Sequence, residues 1–225
     1  MNIAEMKING SPLRVFGAEL LTYNTNTCEM DKRYFQPISS IIPVVLDGKI
    51  GLRRIELTID FSGNTKHEIE KNISNFTSTL INKTEIFLPD GYYYTVIIDS
   101  IKRKGEKAPW IEQMFFTVCG FRHGPIEKTF LSSNKIIFIN GNQTTPAIIK
   151  IVPRGSTTVT INDITINNIS GEIVIDGIEM TVKENGLNKF ADTVLTDFPK
   201  FKPGNNDIAL IGDADVEISY YPIYF

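Results

Sequence analysis

Histidine, cysteine and tryptophan are almost absent from this sequence, with two, two and one among its 225 residues. So small a supply of imidazole and thiol leaves little for nucleophilic or metal chemistry, each of which needs several such groups converging on one point. The two cysteines, Cys28 and Cys119, stand far apart and read as free thiols of a reducing compartment. Residues 1–10 alternate polar and apolar side chains without an apolar core or a small-residue cleavage site, so no secretory export is expected. Apolar runs are short. Runs such as those at 96–98 and 136–139 are strand-sized and far from the roughly 18 residues that cross a bilayer. An excess of positive charge is missing as well: Lys+Arg 23 against Asp+Glu 26 gives a net charge of -3, and no diffuse field draws in phosphate backbones or anionic lipid. G-x-x-x-x-G-K-[ST], G-x-G-x-x-G after a strand and G-x-S-x-G are all lacking, which removes nucleotide binding and α/β-hydrolase chemistry.

What is present is a folding composition, 42% hydrophobic and 22% charged, long enough for one large β domain or two small ones. Ile55, Leu57, Ile59 and Phe61 alternate with Arg54, Glu56, Thr58 and Asp60, the period of a strand with one core face and one polar face. Residues 92–101 and 111–119, rich in aromatic and β-branched side chains, predict a long hairpin around a loop at 102–110 that carries Gly105 and Pro109. One segment breaks the pattern. Over 65–82, Ile69, Ile73, Phe76 and Leu80 form a single helical stripe, with Asn64 or Thr65 placed to cap it and Glu68 and Glu70 near its positive end.

From Lys135 onward short β-branched segments recur at 135–140, 147–152, 157–161, 164–169, 172–175, 179–182, 207–210 and 216–221. Turn pairs such as Asn140-Gly141, Asp176-Gly177, Asn185-Gly186 and Pro203-Gly204 separate them. This spacing predicts a β-sandwich or jelly roll, with a domain boundary near Ser132–Ser133 and domains at 1–132 and 133–225. The chain is expected to be mainly β with one α-helix.

Candidate chemistry is thin. Cys119-x-x-x-His123 supplies two zinc-type ligands, and completing a site would consume Cys28 and His67. A solvated helix histidine and a strand-end histidine are the simpler reading. Asp163, Glu172, Asp176, Asp192 and Asp197 are candidate carboxylates for glycoside hydrolysis but read as solvated turn residues without a histidine or tryptophan beside them. Asp213, Asp215 and Glu217 resemble a calcium loop, yet Val216 and Ile218 interleave them into a strand face. Phe138, Phe190, Phe198, Phe201, Tyr220, Tyr221, Tyr224 and Phe225 read as core or packing residues rather than a sugar platform. The most distinctive surface feature is the basic loop Lys102, Arg103, Lys104 and Lys107 ending at Trp110, which reads as a solvated hairpin tip or, by its Trp and Arg, as a protein–protein anchor. Arg54 and Glu56, on the polar strand face, are candidates either to line a hydrated lumen or to meet a neighbouring subunit's strand.

The run from Gly171 through Asp176-Gly177 and Met180-Thr-Val182, then Asn185-Gly186, Asn188, Phe198-Pro199, Phe201, Pro203-Gly204-Asn205 and the closing Val216-Glu-Ile-Ser-Tyr-Tyr-Pro222, resembles the end of distal tail (Dit) proteins of long-tailed, non-contractile phages and prophages. The opening Ile8-Asn9-Gly10, the single helix and the overall length fit the same family. The resemblance implies an N-terminal tail-tube-like β-barrel or sheet with a flanking helix that forms a homo-hexameric ring, and a C-terminal galectin-like β-sandwich. It implies a structural, non-enzymatic hub at the virion tail tip, assembled in the bacterial host cytoplasm, without cofactor and without membrane. The partners it implies are the tail tube protein, the tail-associated tip protein and receptor-binding or baseplate proteins, with DNA passing through the lumen but not specifically bound. True galectins have a stacking Trp and a histidine that this half of the chain lacks, which argues against direct saccharide binding. The alternative functions are a carbohydrate-binding sandwich module and, behind it, a glycosidase.

Overall fold

The computed structural model describes residues 5–28, 30–35 and 44–225, with 30–35 and 44–50 described by backbone alone. The first four residues of the segment read above for an export signal lie outside the described residues. Two units separate by their internal contacts, Met1–Arg122 and His123–Tyr224.

In the first unit an antiparallel sheet runs in the order Ser11–Pro12, Lys7–Ile8, Thr84–Phe87, Tyr93–Ala108, Ile111–His123, Arg53–Ser62, Ala18–Thr25. Asn9 and Gly10, at φ 47° and 77°, make the two-residue reversal between its first two strands, the left-handed pair that a tight hairpin requires. Arg53–Ser62 follows its sequence period: Ile55, Leu57, Ile59 and Phe61 are fully buried, while Arg54, Glu56 and Asp60 alternate on the opposite face. Between Ala18–Thr25 and Arg53–Ser62 the chain forms a separate two-stranded ribbon, Met30–Phe35 with Val44–Ile50.

The helix, Lys66–Leu80, lies on the buried side of the sheet and buries the stripe read from sequence, Ile69, Ile73, Phe76 and Leu80. Thr65 caps it. The Glu68 N–H donates to Thr65 Oγ1 at 3.1 Å, and Glu68 Oε2 accepts from the Asn64 N–H at 2.7 Å, so two backbone donors at the helix start are satisfied. Phe76 is the centre of the core, with ring centroids 5.0 Å from Phe116, 5.3 Å from Phe61 and 5.7 Å from Phe16, all edge-to-face.

The second unit is entirely strand and turn apart from a short 3-10 segment at Phe190–Asp192. One layer runs Glu127–Leu131, Ala214–Tyr220, Thr145–Pro153, Ile173–Asp176, Thr181–Glu184, Leu187–Asn188. A second layer contains Thr193–Val194, Ile164–Ile166, Val159–Ile161 and Leu210–Ile211, with Lys135–Ile139 and Gly204–Ile208 paired beside it. Ile149, Ile151, Val216 and Ile218 of the first layer and Val159, Ile161, Ile164 and Ile166 of the second share one buried cluster. The expected boundary near Ser132–Ser133 falls inside this unit, because Glu127–Leu131 pairs along its length with Ala214–Tyr220. A strand expected at 207–210 instead covers Gly204–Ile208 and stops at Ala209, whose N–H donates to Asn162 Oδ1 (2.8 Å) and whose carbonyl accepts from the Asn162 N–H (2.9 Å).

A polar clasp closes one end of this unit. The Glu184 carboxylate accepts from Lys189 Nζ (2.9 Å), the Gly171 N–H (2.8 Å), the Ser170 N–H (2.5 Å) and the Ser170 hydroxyl (3.0 Å). The Lys189 bond, followed by the Ser170 and Gly171 donors, holds its pKa down to about 2. A carboxyl depressed in the folded state stabilises it above the unfolded pKa, roughly 4.3, and that stabilisation is lost as the pH falls through about 2. Acid titration followed by circular dichroism should therefore show Glu184→Gln less stable than the parent at neutral pH, with the two converging below that window. A constant difference down to the lowest pH would reject the assignment.

Candidate interaction surfaces

The hairpin of the first unit reaches further than its sequence suggests. Tyr93–Ala108 continues through the segment expected as a loop, Gly105 is accommodated within the strand at φ 114°, and the reversal before Ile111 is Pro109-Trp110 alone. The basic residues therefore sit on a strand end with Trp110, 58% exposed, at its turn.

The helix anchors this strand end. Arg103 bridges two elements, with Nη2 2.8 Å from Glu70 on the helix and Nε 2.6 Å from Glu112 on the returning strand. Lys66 Nζ lies 2.6 Å from Glu106, and this ammonium holds the Glu106 carboxyl below the usual carboxylate range. A cleft of about 310 Å3 between helix start and hairpin is lined by these same charges. Arg103 thus fixes the hairpin's direction, while Lys102, Lys104 and Trp110 are the exposed side chains that the hairpin presents. Sequence reasoning placed Glu70 only near the helix start and did not single out Glu106 or Glu112, because their roles depend on contacts distant along the chain.

The polar face of the same sheet carries the other candidates. Arg54 pairs with Asp99 at 3.2 Å, Lys107 with Asp60 at 3.2 Å, and Gln113 Nε2 donates to Asp60 at 2.9 Å. Glu56 lies opposite Thr117 in the register. Charges of both signs alternate and neutralise one another here, with Ile97 and Ile101 exposed on the adjoining strand. Arg54, Glu56 and Lys107 therefore belong to this face, and Lys102, Arg103, Lys104 and Trp110 to the hairpin end.

The second unit resolves the remaining candidates. Glu172 pairs with Lys150 at 2.7 Å, Asp192 with Lys189 at 3.0 Å, and Asp197 with Lys200. Asp176 Oδ1 accepts the N–H groups of Ile178 (2.8 Å) and Glu179 (2.9 Å), fixing a turn. Asp163 occupies the turn between Val159–Ile161 and Ile164–Ile166. Asp215 and Glu217 lie on Ala214–Tyr220 and pair with Arg154 and Lys128, as a strand face does and a cation loop does not. Cys119 and His123 share the extended strand Ile111–His123, where a spacing of four residues spans about 13 Å, too far for one zinc. Among the described residues no group of three or more His, Cys, Asp or Glu could hold a metal ion, and no helix is long and apolar enough to cross a membrane.

No protein-family model and no curated protein matches this chain. Solved structures do. The SPP1 Dit (gp 19.1) protein, a paradigm of hub adsorption apparatus in phages infecting Gram-positive hosts, aligns with a TM-score of 0.69 and 12% identity over 96% of this chain and 98% of that chain. A chain of the phage P2 baseplate in its activated conformation with Ca aligns at 0.65 and 12% identity, covering 94% of this chain and 92% of that one. The corresponding baseplate structure with Sr gives 0.63 and 11%, covering 93% and 92%. The mainly β fold expected from sequence is thus the fold of a phage distal tail protein, along nearly the whole chain.

Proposed function

We propose that this protein is a distal tail hub of a long-tailed phage or prophage particle, six copies of which close into a ring that joins the tail tube to the tip and carries the adsorption apparatus. The observation that carries the reading is the extent of the likeness: both units together follow 98% of one hub protein's chain. In this reading the first unit is tail-tube-like and forms the ring, and the galectin-like second unit projects as a docking site for receptor-binding or baseplate proteins. Partners are the tail tube protein and the tail-associated tip protein, and the place of action is the virion tail tip after assembly in the host cytoplasm. The role is structural. Four of the five carboxylates weighed for hydrolysis are engaged in turns or ion pairs.

Physical chemistry supports a ring. A head-to-tail contact whose rotation closes generates a cyclic oligomer, and the first sheet ends at Ala18–Thr25, an edge that a neighbouring subunit would cover. The face of Arg54, Glu56, Asp60, Asp99 and Lys107, two cations against three carboxylates, suits a wall past which DNA slides without being held. At the hairpin end, Lys102, Arg103, Lys104 and Trp110 form the contact with the next subunit or the tube.

Trp110→Ala tests that contact. An aromatic anchor at an interface is worth about 2 kcal/mol, so assembly should weaken about thirtyfold, while the folded monomer changes by no more than about 0.5 kcal/mol. Negative-stain images across a concentration series should show rings in the parent at concentrations where the variant has none. Equal ring yield would remove the hairpin from the interface.

A further inference from the structure

Two arginines of the first unit hold donors that the fold does not use. Arg53 opens the strand Arg53–Ser62 on the face of Ile55, Leu57, Ile59 and Phe61, where it is 8% exposed. Its Nη1 donates to the Asn26 carbonyl at 3.0 Å, while its Nε is buried and meets no hydrogen-bond partner among the described residues. Arg53 lies opposite Gly120 in the strand register, so Arg122, two residues further along, stands on the same face one step away. The Arg122 Nε is likewise buried without a partner among the described residues, and its guanidinium lies 4.5 Å from the centre of the Tyr92 ring. We propose that Arg53 and Arg122 together form a binding site for a carboxylate, a function that holds whether or not six copies close into a ring.

The surroundings gather positive charge on one spot. Both guanidiniums act on the hydroxyl of Tyr94: burial and its bond to Asp90 Oδ2 (2.5 Å) push that phenol up, and the charges of Arg122 and Arg53 oppose the rise. The one carboxylate that acts on this hydroxyl, Asp90, is occupied by its own turn, with Oδ1 accepting from the Tyr92 N–H at 3.0 Å and Oδ2 from Tyr94. A buried guanidinium with an open donor is costly. An incoming group with two anionic oxygens relieves both arginines at once, with one Nε–H donating to each oxygen.

Charge balance selects the ligand. Two guanidiniums and one carboxylate leave a single positive charge, which a carboxylate cancels and a phosphate dianion overshoots. A nucleic-acid phosphodiester has the right charge but the wrong approach, because Arg53 sits on the core side of its strand while Arg54 and Glu56 face the other way. Arg122 and Tyr92 are only partly buried, so the site is open to solvent on their side. The donors are also fixed before any ligand arrives, Arg53 by the Asn26 carbonyl, whose own N–H donates to the Arg54 carbonyl at 2.9 Å, and Arg122 by the Tyr92 ring. A preformed site loses little ordering entropy on binding. Two sources carry this chemistry, an acidic side chain of a second copy of the chain and a free carboxylic acid.

The test is calorimetric unfolding of the full chain at pH 7 in sodium acetate, sodium phosphate and sodium chloride at matched ionic strength, run below the concentration at which rings appear. Acetate should raise the unfolding temperature saturably, by about 3–6 °C at ten times its dissociation constant, with no saturable rise in chloride and a smaller one in phosphate. Arg122 is the residue to vary, because it is partly exposed and its replacement leaves the buried strand of Arg53 intact. Arg122→Gln should abolish the acetate response, and Arg122→Lys, which keeps the charge without the guanidinium fork, should retain less than half of it. A parent that does not respond to acetate, an equal rise in Arg122→Gln, or a larger rise in phosphate would each overturn the proposal. Light scattering at ring-forming concentrations separates the sources: acetate that lowers the mass of the parent marks a side chain of a second copy, and acetate that binds without changing the mass marks a free acid. A chain that binds acetate but never forms rings contradicts the hub reading and leaves this site standing.

Discussion

Phe76→Ala should destabilise the first unit by about 3–5 kcal/mol, the cost of deleting a large buried aromatic where the surroundings cannot collapse. Phe76 is fully buried on the helix and meets Phe16, Phe61 and Phe116 edge-on, so three rings from three different elements lose their common partner. Each aromatic pair adds about 0.5–1.5 kcal/mol beyond the area it buries. The helix itself has little to fall back on, since its Asn, Ser, Thr and β-branched content gives it weak intrinsic propensity. Chemical denaturation should show the midpoint fall sharply. Phe76→Leu should lose much less, because most of the volume remains. A loss below about 1 kcal/mol for the alanine variant would mean that the helix is not held by this cluster.

Gly120→Ala should cost about 3 kcal/mol or more, although alanine is a smaller conformational demand on a strand than glycine. An added Cβ would come within 2.1 Å of the Thr95 carbonyl oxygen and 2.8 Å of Val96 Cγ1. The first of these atoms is backbone in the neighbouring strand, so relief requires the two longest strands of the sheet to move apart. That movement would propagate to Arg53–Ser62, paired with Ile111–His123 over ten residue pairs. The expected result is poor expression of folded protein or a large drop in denaturation midpoint. Near-parental stability would show that the strands yield more readily than their spacing implies.

The elements that were legible in the sequence are those whose stability is local or periodic. The stripe from Ile69 to Leu80 and the alternation from Ile55 to Phe61 each declare one buried face, and the structure buries those residues. The short strands of the second half were signalled by turn residues such as Gly141 and Asn185, which sit at positive φ between strands. Legibility fails where pairing partners lie far apart. Glu127–Leu131 has too polar a sequence to declare itself and is a strand because Ala214–Tyr220 lies beside it. Gly105 and Pro109 together suggested a loop, yet ladder pairing with Ile111–His123 draws the strand through Gly105 and leaves the reversal to Pro109 and Trp110.

The candidate surfaces divide in the same way. Trp110 stands out as the sole tryptophan, and the hairpin turn leaves it exposed. Arg103 looked like one more basic residue in a row, whereas its bonds to Glu70 and Glu112 make it the brace that aims the hairpin. No spacing rule connects those three positions.

The hub reading stands or falls on assembly, and the most direct measurement is the mass of the purified protein in solution by light scattering after size exclusion, alone and with its tail tube protein. The account predicts a closed species of six 25.3 kDa chains in at least one of the two conditions. A 25.3 kDa monomer under both would contradict it.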